Sequence, residues 1–443
     1  MARPGRHTIV VDLGYGDAGK GTVVDALSAD GGLSAVIRFN GGAQAAHNVV
    51  TADGRHHTFA QFGAGTLCGA RTHLSRFVVV DPLALAAEAD HLAALGVPDP
   101  LRLITVDGDA PLATPWHRAA NRARERRRGG DRHGSCGMGV GETVAYALDH
   151  ADAPRAADVR SPALLRRRLA AVRDRLTDEL GDLGAPPVEE VAAAFEAFGA
   201  AVAVVDGPRV LRELLRAGPC VFEGAQGILL DEWAGWHPYT TWSTTTFANA
   251  DTLLAEAGEE AYRLGVVRTY TTRHGPGPLV TEDPALTAAL PDPHNGTGPW
   301  QGAFRVGHFD AVAHRYAVEV AGGVDGLAVT HLDVPPRVPD LAICTSYRHT
   351  GGIAPGRHRD TALIVPGPGG DLDRIVPGPH RDLDHQAALT AALLTARPGR
   401  LDRPADWSAA IGELLGAPVL LESRGPRAGD KRAGNRALAA RYP

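Results

Sequence analysis

The sequence predicts an α/β fold, with a large, mostly parallel central sheet, helices on both faces and an inserted helical subdomain. Three observations carry this. Short apolar runs alternate with stretches of helical spacing. Glycine-rich turns recur directly after those runs. Ser161–Arg216 is dense in Ala, Leu, Arg and Glu, with one break at Gly181–Pro187, and reads as helices.

In chain order, Ile9–Leu13 reads as a buried strand, broken by Gly14, Gly16, Gly19 and Gly21, after which Val23, Val24 and Leu27 resume at helical spacing. Ala35–Phe39 is a second strand running into Asn40–His47, a loop of small residues. Thr51–His57 has a hairpin turn at Asp53-Gly54. Phe77–Val80 reads as a strand, and Pro82–Leu95 as a helix capped by Asp81 with Pro82 at its first position. Leu101–Val106 is a strand and Trp116–Arg128 a basic helix. Gly134–Gly141 is a second glycine loop. Cys220–Phe222, Tyr262–Tyr270, Leu327–Leu332 and Val419–Leu421 read as further strands. Ligands of open α/β sheets bind at the carboxyl ends of such strands. We expect one domain over residues 1–443, a helical insertion at 110–216 and a Gly/Pro-rich irregular excursion at 350–384.

The composition, 44% hydrophobic and 22% charged with formal net charge −6, is that of a soluble globular chain and points to neither nucleic acid nor membrane partners. The six arginines of Arg122–Arg132 read as a solvated helix face, with a phosphate patch the other reading. Met1–His7 is short and polar, and no apolar run approaches a membrane span, so a cytoplasmic protein is expected. Four scattered cysteines without a CxxC pair read as reduced thiols.

Gly14 and Gly19-Lys20 have the spacing of a phosphate loop, GxxxxGK[ST], in which backbone N–H groups and a helix N-terminus face an anion. The last position departs: it is Gly21, with Thr22 one later. Lys20 and Lys431 are the only lysines in a chain that otherwise uses arginine. A compact ammonium on a flexible stem suits a phosphate pocket where a guanidinium fork does not.

Seven ordered stretches, GYGDAGKG, RFNGGAQAAH, FEGAQGILLD, HPYTTWSTTT, TRHGPGPLVTE, HLDV and SRGP, run from residue 14 to 426. Together they resemble the adenylosuccinate synthetases. The resemblance implies GTP as co-substrate, Mg²⁺ and a two-step reaction. GTP phosphorylates a carbonyl oxygen, and an amine then displaces the phosphate. It implies Asp17 as base and magnesium ligand, with the Ala46 carbonyl as a second ligand, and His47 as the electrophilic partner on the phosphates. Gln226 lies near the reacting oxygen, while Gly16, Gly19, Lys20, Gly21 and Thr22 cradle phosphate. Asp333 reads the guanine N1 and N2 groups, with His331, Ser423 and Gly425 lining the base. Gln44, Ser135, Cys136, Thr241 and Arg305 face the substrates. A homodimer is implied.

The match breaks on the substrate side. Cys136 stands where the family has a phosphate-binding threonine, Gln44 where it has an asparagine, and Ala46 where it has a glycine. The family's arginine cluster for aspartate is reduced to Arg305, amid Trp300 and Phe304. Each lost charged hydrogen bond removes roughly 1.5–3 kcal/mol of grip on a dicarboxylate. The expectation is therefore a GTP-dependent carbon–nitrogen ligase with a changed acceptor and amine, suited to specialised metabolism. The alternatives are an ordinary adenylosuccinate synthetase of purine biosynthesis, a non-catalytic GTP-binding protein and a kinase that stops at the phosphorylated intermediate.

Overall fold

The computed structural model describes residues 7–29, 31–292, 295–349, 363–367 and 371–434. Cα packing separates the chain into two compact units: Met1–Val10, Lys20–Ala225 and Ala248–Tyr262 form the first, and Val11–Gly19, Gln226–Phe247 and Arg263–Pro443 the second. The fold is α/β, with mostly parallel sheet.

In the first unit the strand order is His7–Asp12, Cys220–Glu223, Ala35–Arg38, Arg71–Leu74, Ile104–Asp107, Ala203–Val205. Every neighbouring pair is parallel, with Val36 opposite Val221 and Thr72 opposite Ile104. These strands are short and mostly buried, as a sheet covered on both faces requires. Two expectations shift. Phe77–Val80 makes only isolated bridges, Val79 to Gly42 and Val80 to Leu112, and the strand is Arg71–Leu74. Its polar side chains find partners: Thr72 Oγ1 accepts from Gly63 N at 2.9 Å, and His73 Nδ1 lies 2.9 Å from Thr105 Oγ1. Ala203–Val205, inside the part of Ser161–Arg216 read as helix after the break at Gly181–Pro187, is the edge strand beside Ile104–Asp107. The helices flanking it are Pro162–Leu180, Val188–Ala201 and Gly207–Ala217.

The helix Pro82–Ala94 begins as expected, with the Asp81 carboxylate accepting from Leu83 N and Ala84 N. The basic helix spans Pro115–Arg128. Its arginines are spent locally: Arg124 pairs with Glu142 and Glu179, Arg128 with Glu125, and Arg122 and Arg127 donate to the Gly137 and Leu180 carbonyls. That disfavours the phosphate-patch reading.

His117 caps this helix through an unprotonated Nδ1, which accepts from Thr114 N at 3.2 Å. Burial pushes His117 down to about 3 and His73 down to about 4. Both folded values lie below the unfolded one. Their stabilisation is therefore complete above pH ~6.5 and is lost as pH falls towards 4, at about 1.4 kcal/mol per pH unit for each group. Buried Asp310, pushed up to about 6, works in the opposite sense below that pH. The two histidines outweigh it. Thermal melts should therefore fall between pH 6.5 and 4, and fall less steeply in His117→Gln, which keeps a capping acceptor without the charged form. Identical slopes in both proteins would refute this.

In the second unit a four-strand run has the order Lys431–Ala433, Val419–Ser423, Gly326–Thr330, Ala261–Arg268. Only the Lys431–Ala433 edge is antiparallel. A second sheet pairs Tyr270–His274 antiparallel to Phe304–Asp310, over a core of Tyr270, Leu286, Val306, Val334 and Leu341. Of the excursion at 350–384, residues 350–362 and 368–370 lie outside the described residues. The remainder is not wholly irregular: Ile364–Pro366 and Leu372–Ile375 pair as antiparallel strands. Among the described residues no helix is long and apolar enough to cross a membrane.

Candidate active site

The glycine loop Leu13–Gly19 belongs to the second unit and is wound around a buried carboxylate. Asp12, 1% exposed, accepts from Gly14 N (2.8 Å), Gly16 N (3.3 Å) and Ala18 N (2.9 Å). The Gly16 amide, expected to face a phosphate, is thus held by Asp12. Gly16 contributes its left-handed backbone instead, at φ 101°.

Non-glycine residues rarely take positive φ, and where they do the strain often marks function. Five described residues do so, and three of them, Asp17, Gln226 and His331, are expected site residues. Asp17 is held through its main-chain oxygen, which accepts from Arg268 Nη1 at 2.9 Å, and through Oδ2, 3.0 Å from His274 Nε2. Thr330 Oγ1 donates to Ala18 O at 2.7 Å, tying the loop to the end of strand Gly326–Thr330.

Gln226 lies against the same loop. Leu229 N donates to Gly14 O at 3.0 Å, and a Cβ on Gly227 would stand 2.2 Å from Gly14 O and 2.4 Å from Gly16 N. Asp17 and Gln226 are therefore carried on two backbones pressed together. The stretch after Gln226 is shaped by Asp231, whose carboxylate accepts from Trp233 N, Ala234 N and Thr245 N. Thr241 N donates to Leu230 O at 2.8 Å, and the neighbouring Trp242 is 49% exposed.

Arg305 is already engaged. Its Nη1 meets Glu282 Oε2 at 2.6 Å, and its Nη2 donates to Gly277 O at 2.9 Å. His331 is half-buried, and loss of solvent around its ring, reinforced by the Arg268, Lys431 and Arg337 cations, drives it well below its usual value, so it is neutral. Ser423 Oγ donates to Gly425 O, and Lys431 Nζ donates to Gly425 O and Arg427 O. Lys431 was not expected here, although its rarity was the available signal. Asp333 pairs with the well-exposed Arg337. Exposed pairs contribute little, so a ligand can displace it.

The first unit holds Lys20, 3% exposed, and His47. A Cβ on Gly21 would stand 2.7 Å from His47 Cβ, which explains why the phosphate-loop serine or threonine is absent. His47 Nδ1 lies 2.6 Å from Glu223 Oε1, and Glu223 Oε2 accepts from Ala64 N. Burial lowers the His47 value despite the Glu223 attraction. Burial alone would raise Glu223, but the His47 contact and Arg38 keep it low. The pair is therefore a carboxylate and an imidazole that gives its Nδ1 hydrogen to it. Gln44 has both side-chain polar atoms buried without a hydrogen-bond partner among the described residues. Ser135 Oγ is engaged, donating to Asn121 Oδ1 on the helix Pro115–Arg128 and accepting from Gly137 N. Burial pushes the Cys136 thiol up, away from thiolate.

The adenylosuccinate synthetase family profile matches residues 9–364. The chain belongs to the adenylosuccinate synthetase family. It is 36% identical to the adenylosuccinate synthetase of Neisseria gonorrhoeae over 358 residues, 78% of this chain and 82% of that one. With the Desulfovibrio desulfuricans enzyme the identity is 32% over 361 residues, again 78% and 82%. The fully ligated adenylosuccinate synthetase of Plasmodium falciparum has the same fold, at TM-score 0.80 and 19% identity, covering 97% of this chain and 100% of that one. The cyanophage S-2L succinoaminodeoxyadenylate synthetase PurZ, solved with dGMP and with dATP as energy donor, aligns at TM-score 0.60 and 20% identity over 99% of both chains. Members of the family are GTP-dependent carbon–nitrogen ligases of purine biosynthesis.

Proposed function

We propose that this chain phosphorylates a carbonyl oxygen of a 6-oxopurine-like or lactam acceptor with GTP, then displaces the phosphate with an amine other than aspartate. The observation that carries the substrate reading is Arg305. It is the one cation left in the amino-acid loop, and Glu282 and the Gly277 carbonyl already engage its two Nη groups. A dicarboxylate would have to displace that pair and would still lack a second bidentate partner. The adjoining Phe304 and the exposed Trp242 offer apolar contact instead.

In the second unit Asp17 is the base that takes the acceptor's proton, Gln226 the group beside the reacting oxygen, and Asp333 the guanine reader. In the first unit Lys20 and His47 meet the phosphates, and Gln44, with no partner of its own, awaits a polar group of the acceptor. Among the described residues no cluster of three or more metal-ligating side chains exists. Mg²⁺ in such sites needs only one or two carboxylates beside phosphate oxygens and water, so the partly exposed Asp17 carboxylate fits it. Bound there, the ion would spread charge over the transferring phosphoryl group. A homodimer and a cytoplasmic place in specialised metabolism complete the reading.

A GDP-release assay crossing inosine monophosphate and inosine with aspartate, ammonia, glycine and tryptophan tests it. The expected result is that an amine without a second carboxylate outpaces aspartate at least tenfold. Fastest release with inosine monophosphate and aspartate would instead establish an ordinary adenylosuccinate synthetase.

A further inference from the structure

We propose that His274 is the positioning residue for Asp17, holding the plane of its carboxylate for proton removal; this rests on the reading of Asp17 as the base. His274 Nε2 lies 3.0 Å from Asp17 Oδ2. A carboxylate oxygen only accepts, so Nε2 carries the hydrogen. The two residues are 257 positions apart, and the contact is built from both sides. On one side, Asp17 sits in the left-handed region at φ 59°, with its main-chain oxygen fixed by Arg268. On the other, His274 ends the strand Tyr270–His274 in register with Phe304, and the two rings pack at 4.9 Å between centroids. Gly275 N, donating to Ala303 O at 2.9 Å, closes the turn behind the imidazole.

The pair is not a core contact. The histidine side chain is 20% exposed and the carboxylate 27%, so both are reachable by a ligand. A carboxylate free to rotate presents its lone pairs to the acceptor in many orientations, and the hydrogen bond from a clamped imidazole removes that freedom. No bond to His274 forms or breaks. The acceptor's proton passes to the Asp17 carboxylate, the phosphoryl group passes from GTP to the acceptor oxygen, and GDP leaves. The same geometry places Phe304, in the substrate loop, against the group that orients the base.

The test uses the full chain. His274→Phe removes the donor and keeps a ring against Phe304, whereas His274→Gln keeps an N–H donor. With inosine monophosphate or inosine and whichever amine in the panel releases GDP fastest, His274→Phe should lower kcat about 10- to 100-fold and leave the KM for GTP within about threefold. His274→Gln should recover at least a third of the wild-type rate. Independently of any acceptor, histidine-selective ¹⁵N spectra assign the His274 imidazole by its loss in His274→Gln. That signal should shift in Asp17→Gly, which removes the acceptor and tolerates the left-handed backbone at this position. An unmoved signal overturns the contact in solution, whether or not His274→Phe folds. If Asp17→Asn turns over normally, the reading of Asp17 as base fails, and this inference with it. If Asp17→Asn is inactive while His274→Phe is normal, the inference alone fails.

Discussion

Asp17→Asn is expected to cut turnover by 10²- to 10⁴-fold, the usual scale for losing a general base, while GTP binding stays measurable. The substitution is clean because asparagine is among the residues that tolerate left-handed backbone, so the φ of 59° at this position survives it. Its side-chain oxygen can still accept from His274, so orientation is kept, while the basicity of the carboxylate and the charge it would offer Mg²⁺ are lost. On the proposed reading, the phosphate contacts of Gly19 and Lys20 do not pass through this carboxylate. Measured GDP release together with titration of GTP onto the variant separates the two effects. Near-normal release would remove Asp17 as the base.

Gly227→Ala should be nearly as damaging for a different reason. The φ of −134° is open to any residue, so no conformational strain enters. The new methyl would lie 2.2 Å from Gly14 O and 2.4 Å from Gly16 N, both main-chain atoms. Neither can retreat, because Gly14 O already accepts from Leu229 N and Gly16 N is held by Asp12. Relief requires parting the loops that carry Asp17 and Gln226. Overpacking of this kind costs about 1–3 kcal/mol or more, and the misplaced loops should lower turnover at least tenfold. Gly32→Ala, where a Cβ meets nothing within 4 Å, serves as the control. A Gly227→Ala protein with wild-type melting and turnover would show that the two loops are not locked.

What could be read from the sequence was whatever is local. The glycine loops announce themselves because a turn's demands on φ and space fall on adjacent residues, and Asp17, Lys20, His47 and Gln226 stand inside such stretches. Partners joined only by folding were not legible. His47 meets Glu223 across 176 positions, and His274 stood within a quoted stretch without any sign that it faces Asp17. Strand positions failed where burial and pairing part company. Phe77–Val80 is apolar, with its three valines buried, yet barely paired, whereas Arg71–Leu74, with a histidine and a threonine, sits between two parallel neighbours. Ala203–Val205 was too short to interrupt the helical periodicity around it.

The Asp12 carboxylate has one further consequence. A phosphate loop commonly finds its anion only when the nucleotide arrives. Here the chain supplies an anion of its own, permanently tethered, and the loop closes on it as the protein folds. The entropy of ordering Leu13–Ala18 is lost in folding rather than in binding, so any ligand of this loop meets a finished mould.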